Sequence, residues 1–236
     1  MKSLILRLVL VILLICSANY VGATTITGGS GILDLSYASQ LETWLGEGPL
    51  AFTNIFTKQD GDGQTSYDFH NAVDGMGRTF TVIELLTPEG QIIGGFNPQS
   101  WSSNGYYNLV QDPNDRNAFI FNLTTSTIYS QKCDHYGQYQ TYNNYMYGPT
   151  FGGGHDIYIN STLSSGYAYH YSYGPDGTNL SNIVGQQYQA SALKIGTLEV
   201  YTIAPDQSPV PEPATCMLFG IGFLTLVCIN WKRKNR

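Results

Sequence analysis

Short apolar runs alternating with polar residues fill most of this chain, a period-2 pattern that reads as antiparallel strand. Residues 52–57 form one such run. Residues 78–86 and 91–96 form two more, joined by Thr87-Pro88-Glu89-Gly90, where Pro and Gly suit a hairpin turn. Residues 119–123, 156–160 and 197–203 continue the series. Residues 166–173 alternate without a break. That spacing predicts Tyr167, Tyr169, Tyr171 and Tyr173 on one face of a strand, with Ala168, His170 and Ser172 on the other. Helical spacing is confined to two short stretches. Ala38, Leu41, Trp44 and Leu45 predict a helix over 37–45, stopped by Gly46. Ser66 is a candidate N-cap for a second helix running to Val73 and ending at Asp74-Gly75. The expected body is therefore mainly β, of the α+β class, with about two helices.

The two ends follow a different pattern. Lys2 and Arg7 precede an apolar run over 8–15, and Val21-Gly22-Ala23 offers small residues for cleavage. This order predicts a secretory signal peptide over 1–23, with Thr24 the first mature residue. At the other end, residues 214–231 are 18 consecutive uncharged positions. As a helix they would measure about 27 Å, close to the thickness of a hydrocarbon core. Lys232, Arg233, Lys234 and Arg236 follow and would stay on the cytoplasmic side. The expected organisation is a signal peptide (1–23), one domain (24–203), a linker (204–209) and a membrane-directed tail (210–236).

Charge narrows the function. Between residues 24 and 209 there are five basic residues (Lys58, Arg78, Arg116, Lys132, Lys194) against 16 acidic ones, a net of −11. Neutralising phosphates requires Lys and Arg, so a nucleic-acid partner is excluded. Of the four cysteines only Cys133 lies in this body, which rules out an internal disulfide there.

Two family resemblances rest on particular residues. Val210-Pro211-Glu212-Pro213, then an apolar segment, then terminal Lys/Arg, resembles the PEP-CTERM sorting signal. That resemblance implies export through the Sec translocon and recognition by an exosortase in a Gram-negative bacterium. It also implies a stay in the inner membrane with the C-terminus cytoplasmic, then release to the envelope surface or extracellular matrix, and an association with exopolysaccharide and biofilm. The body is similar to the TLDc domain over roughly 35–203. The landmarks are Gly94-Gly95-Phe96 followed by Gln99-Ser100-Trp101, then Phe151-Gly152-Gly153-Gly154-His155-Asp156-Ile157-Tyr158, then Leu198-Glu199-Val200-Tyr201 where the family usually ends in Trp. The implied fold is a two-sheet antiparallel β-sandwich with two flanking helices. The family carries no established enzymatic activity, and its eukaryotic members' cytosolic partner is out of reach for an exported protein.

Candidate chemistry within the body is sparse. His70, His135, His155 and His170 could gather with Asp134 or Asp156, yet none has the tight spacing of a metal motif. Asp60, Asp62 and Gln64 begin like a calcium loop, but Thr65 stands where Gly is needed and Asn71 where Glu is needed. Cys133 has Lys132 and Asp134 as neighbours of opposite effect on a thiol. No catalytic residue, metal or cofactor is expected. Ten tyrosines fall between Tyr136 and Tyr173, and those at 167, 169, 171 and 173 are the candidate ligand-binding face, for matrix polysaccharide. The expected role is non-catalytic binding or structure at the cell surface. The alternative is a secreted enzyme acting on matrix glycans, or a thiol- or metal-dependent antioxidant.

Overall fold

In the computed structural model of this chain, residues 22–174 and 181–206 are described. The signal peptide up to residue 21, the sorting residues Val210, Pro211, Glu212 and Pro213, the apolar segment 214–231 and the basic end 232–236 lie outside the described residues. Among the described residues, no helix is long and apolar enough to cross a membrane. One unit spans Thr24–Asp206.

The last strand is the spine of this unit. Ser191–Pro205 (β11) runs 15 residues and pairs antiparallel with Leu50–Lys58 (β2) on one side and Thr79–Thr87 (β3) on the other. Its first four residues pair with Ser165–Ala168 (β10), which in turn pairs with Ile157–Ile159 (β9). Beyond β3 the sheet continues through Ile92–Asn97 (β4), Phe119–Asn122 (β6) and Thr127–Ser130 (β7). At the opposite edge Thr25–Thr27 (β1) lies parallel to β2. A two-stranded ribbon of Tyr106–Leu109 (β5) and Tyr139–Asn143 (β8) completes the set.

This corrects the expected pair of antiparallel sheets. The main sheet is a single mixed one of nine strands, because β11 is long enough to pair with β10, β3 and β2 in turn, so the ladder never divides. Its register slips between Lys194 and Ile195 and again before Leu198. Lys58 fills that irregularity: its buried ammonium donates to the carbonyls of Ile195 at 3.4 Å and Gly196 at 3.0 Å. Carbonyls displaced from the ladder are thereby satisfied.

Both faces of the sheet are covered, so its strands carry apolar residues on both sides. Leu35–Leu45 (α1) packs Ala38 and Leu41 against Phe52, Phe80, Phe96 and Phe121. Asp34 starts this helix by accepting the Tyr37 N–H at 2.8 Å, and left-handed Gly46 (φ 75°) ends it. On the other face Ser66–Val73 (α2) packs Phe69 and Val73 with Ile83, Ile93, Trp101 and Phe151. Its cap lies one residue earlier than Ser66. The Asp68 carboxylate takes both the N–H and the hydroxyl of Thr65 at 2.8 Å, while the Ser66 hydroxyl donates to the Tyr145 carbonyl at 2.8 Å.

The Gly94-Gly95-Phe96 order in β4 has a packing cause. A Cβ at Gly95 would sit 2.5 Å from the ring of Phe151. That ring meets Trp101 edge-on at 5.4 Å, and Trp101 also contacts Phe69 and donates its indole N–H to Thr79 at 2.9 Å. Gly95 thus leaves room for the cluster that anchors the segment beginning at residue 151.

Candidate functional site

Five elements bring a set of half-buried tyrosine rings to one face of the domain. On the ribbon, Tyr107 of β5 lies directly across from Tyr142 of β8, with ring centroids 4.5 Å apart, and Tyr139 closes against Tyr107 at 5.0 Å. In β9, Ile157 and Ile159 point into the core, which leaves Tyr158 on the outer side. Tyr158 stands across from Tyr167 of β10 at 5.0 Å. Tyr147, in the turn after β8, joins the two halves: its ring is 5.7 Å from Tyr142 and 4.8 Å from Tyr158.

His155 occupies the middle. Its ring lies nearly parallel to Tyr142 at 5.6 Å and to Tyr158 at 5.7 Å. Tyr147, Tyr167 and Tyr107 surround it at 6.0, 6.3 and 6.5 Å. The backbone that delivers it is unusual. His155 has φ 62°, a left-handed conformation that a side chain ordinarily costs about 1 kcal/mol to adopt. The Gly152 carbonyl accepts from the His155 N–H at 3.2 Å and faces Nδ1 at 3.3 Å. Gly152 itself admits no side chain, since a Cβ there would lie 1.9 Å from the Asp156 carboxylate.

Asp156 explains why the tyrosine strand ends early. Its fully buried carboxylate accepts the N–H groups of Tyr171 at 2.7 Å, Ser172 at 2.9 Å and Tyr173 at 3.0 Å. These donors curl around one acceptor instead of joining a ladder, so β10 stops at Ala168. The expected common face of Tyr167, Tyr169, Tyr171 and Tyr173 is therefore corrected. Tyr173 is buried in the core and donates its hydroxyl to the Gln140 carbonyl at 2.7 Å. Tyr171 packs on Tyr136 at 4.8 Å, and Tyr169 lies beside His170 at 4.4 Å. Of the four, Tyr167 alone is in ring contact with His155.

The surrounding polar groups are committed to holding this arrangement. His70 Nε2 faces the carbonyls of Asn144 at 3.0 Å and Tyr147 at 3.1 Å, which fixes the turn carrying Tyr147. Its Nδ1 meets Asp74 at 2.7 Å, and the Ser103 hydroxyl donates to the other oxygen of Asp74 at 2.6 Å. In this trio the aspartate is central. A nucleophilic triad needs the histidine there. Arg116 donates to the backbone carbonyls of Val110, Gln111, Lys132 and Asp134. Lys132 donates its ammonium to the Tyr171 carbonyl at 2.9 Å, and Cys133 is exposed. Asp62 accepts the N–H groups of Gln59 and Gln64 in the 60–63 turn. Among the described residues no three of His, Cys, Asp and Glu converge closely enough to hold a metal ion.

Electrostatically the tyrosine face is neutral. Burial and the neighbouring phenols push Tyr107 up to about 12, and Tyr158 and Tyr167 are raised for the same reasons. Burial lowers His155 below the usual imidazole range, partly offset by its bond to the Gly152 carbonyl. Three concavities of the domain are lined by other residues, such as Leu109 and Asp115, Gly29 and Leu33, or Trp44 and Phe119. The tyrosine face is a platform.

Period-2 reading could not assemble this platform, because its rings come from segments up to 60 positions apart, from Tyr107 to Tyr167. The sequence does flag the density of tyrosines and the His155-Asp156 pair after the glycines.

At the end of the domain, the Tyr201 hydroxyl donates to Glu199 at 2.7 Å, and the other oxygen of that buried carboxylate accepts the Ser30 N–H. A tyrosine at this position therefore provides Glu199 with a donor. The TLDc domain family matches residues 26–204, and the PEP-CTERM protein-sorting motif matches residues 209–234. No curated relative matches the chain. The sorting motif implies recognition by an exosortase and export to the envelope or cell surface. The domain match covers three quarters of the chain and includes the Gly95–Phe151–Trp101 packing, the glycine loop before β9 and the closing strand β11: this exported protein belongs to the TLDc domain family.

Proposed function

We propose that this exosortase-sorted protein is a non-catalytic binder of extracellular polysaccharide, held through the platform of Tyr107, Tyr142, Tyr147, Tyr158 and Tyr167 around His155. The platform itself is the observation that carries this reading. Tyrosine offers a flat apolar ring to the C–H face of a sugar and a hydroxyl to its polar edge, at little cost in side-chain entropy. A contiguous, partly exposed aromatic surface is a natural interaction site. The exported location puts matrix glycans within its reach. A structural role in exopolysaccharide or biofilm follows from the same contact.

An enzymatic role has less to draw on. His70 is engaged by two carbonyls and a carboxylate, and Asp156 by three backbone N–H groups. Neither is placed to accept a proton from a substrate.

The test is retention on the exopolysaccharide purified from the producing cells, measured by affinity electrophoresis. Tyr158→Ala combined with Tyr167→Ala removes two facing rings and should weaken binding by about tenfold or more. Tyr169→Ala combined with Tyr171→Ala lies off the platform and should leave binding close to wild type. Unchanged binding in the first variant would remove the basis of this proposal.

A further inference from the structure

We infer that the platform selects uncharged glycan chains over acidic ones, and that His155 supplies a hydrogen bond that holds the neutral chain. The inference rests on the polysaccharide reading above and goes on to name the chemical class. An acidic polysaccharide is recognised by Lys or Arg, the latter often in bidentate contact with a carboxylate. Of the five basic residues of the body, four are already engaged. Lys58 is buried on the carbonyls of Ile195 and Gly196, Lys132 donates to Tyr171, and Arg116 donates to four backbone carbonyls. Arg78 forms a two-point pair with Glu47, at 2.6 and 2.8 Å. Lys194, exposed and across from Ser165, is the fifth. A single lysine beside 16 acidic residues makes a poor site for a polyanion.

The rings add to this exclusion. The face of a tyrosine carries the negative end of its quadrupole, so it attracts the C–H bonds of a sugar and repels a carboxylate. The imidazole occupies the centre of the platform, 5.6 Å from Tyr142 and 5.7 Å from Tyr158. The platform therefore suits a chain laid across the surface. Nδ1 of His155 is directed to the Gly152 carbonyl, and Nε2 has no hydrogen bond among the described residues. With Nδ1 donating to the Gly152 carbonyl, Nε2 of the neutral imidazole can accept one hydrogen bond from a sugar hydroxyl at the centre of the tyrosines.

Backbone strain makes the same point. Three glycines precede His155, and a fourth would adopt φ 62° without penalty. A histidine held in the left-handed region by its surroundings is the kind of strain found at binding sites.

The experiment uses the full-length protein in a non-glycosidic detergent, with two probes: hydroxyethyl cellulose as the neutral chain and polygalacturonate as the acidic one. Expected is binding of the neutral chain that changes less than about twofold between 50 and 500 mM salt, with polygalacturonate at least about tenfold weaker. His155→Gly should bind the neutral chain about tenfold less tightly while its melting temperature stays within about 5 °C of wild type. Lys194→Gln should bind like wild type. Salt-sensitive binding that favours polygalacturonate would overturn the selectivity and leave the polysaccharide reading standing. Wild-type affinity in His155→Gly would remove His155 from the site. Binding of neither probe, nor of the producing cells' own exopolysaccharide, would overturn the reading and the inference together.

Discussion

Asp156→Ala is expected to be the most damaging single substitution in the domain, lowering stability by about 4 kcal/mol. It leaves three N–H groups without an acceptor, those of Ser172 and Tyr173 buried and that of Tyr171 partly so. Each such group costs about 1–3 kcal/mol when nothing replaces its partner. The damage should reach the platform, since Asp156 follows His155 directly and lies against Gly152. Urea denaturation of the variant measures it. A midpoint within experimental error of wild type would mean that the curl at 171–173 does not depend on this carboxylate.

The same residue sets a pH dependence. Burial pushes Asp156 up to about 6, against the pull of its three N–H donors and of Lys132. The folded protein thus holds this proton more tightly than the unfolded chain, where an aspartic acid titrates near 4. Its contribution to stability is complete below about pH 4 and is lost as pH rises through about 6. Asp156→Asn removes that slope. Comparing the two proteins at pH 4.5 and pH 7 isolates it from the other carboxylates.

Gly95→Val is the second large effect, expected to cost about 3 kcal/mol through overpacking. The space beside Gly95 is filled by Phe151, which is fully buried against Trp101, so the new side chain cannot be absorbed by a surface rotamer. Phe151→Leu in the same chain should recover part of the loss. The coupling appears as non-additivity in a double-mutant cycle. Additive losses would show that the two positions do not compete for the same volume.

These positions show how far the sequence could be read. Both helices, the hairpin of β3 and β4, and the strand at 119–122 were legible, because each is set by local spacing and by turn or cap chemistry. The three-residue β1 was not. Its stability comes from parallel pairing with β2, and so short a segment carries no period of its own. The division into two sheets failed for a related reason: whether a long strand pairs with three neighbours is a tertiary matter, settled at the Lys58-filled irregularity of β11.

The tyrosine face was half legible. Strict alternation from 166 to 173 is what a strand requires, and it continues past the point where the strand ends. What ends it is a carboxylate ten or more positions upstream, at residue 156, which captures the N–H groups that a ladder would have used. Periodicity contains no trace of such a competitor. Tyr107, Tyr142, Tyr147 and Tyr158 read singly as surface or core residues, and their gathering depends on the ribbon, on β9 and on His70 holding the turn at 147. The sorting end is the reverse case. Its order of Pro-Glu-Pro, apolar run and basic residues is readable without any fold, and it matches the PEP-CTERM protein-sorting motif.

Aromatic NMR of the protein titrated with oligosaccharide fragments of the producing cells' exopolysaccharide tests whether the platform is the binding surface. The ring signals of Tyr107, Tyr142, Tyr147, Tyr158 and Tyr167 and of the His155 imidazole should shift together along one binding curve, while those of Tyr169 and Tyr171 stay in place. Shifts confined to tyrosines off this face, or none at saturating fragment, would contradict that role of the platform.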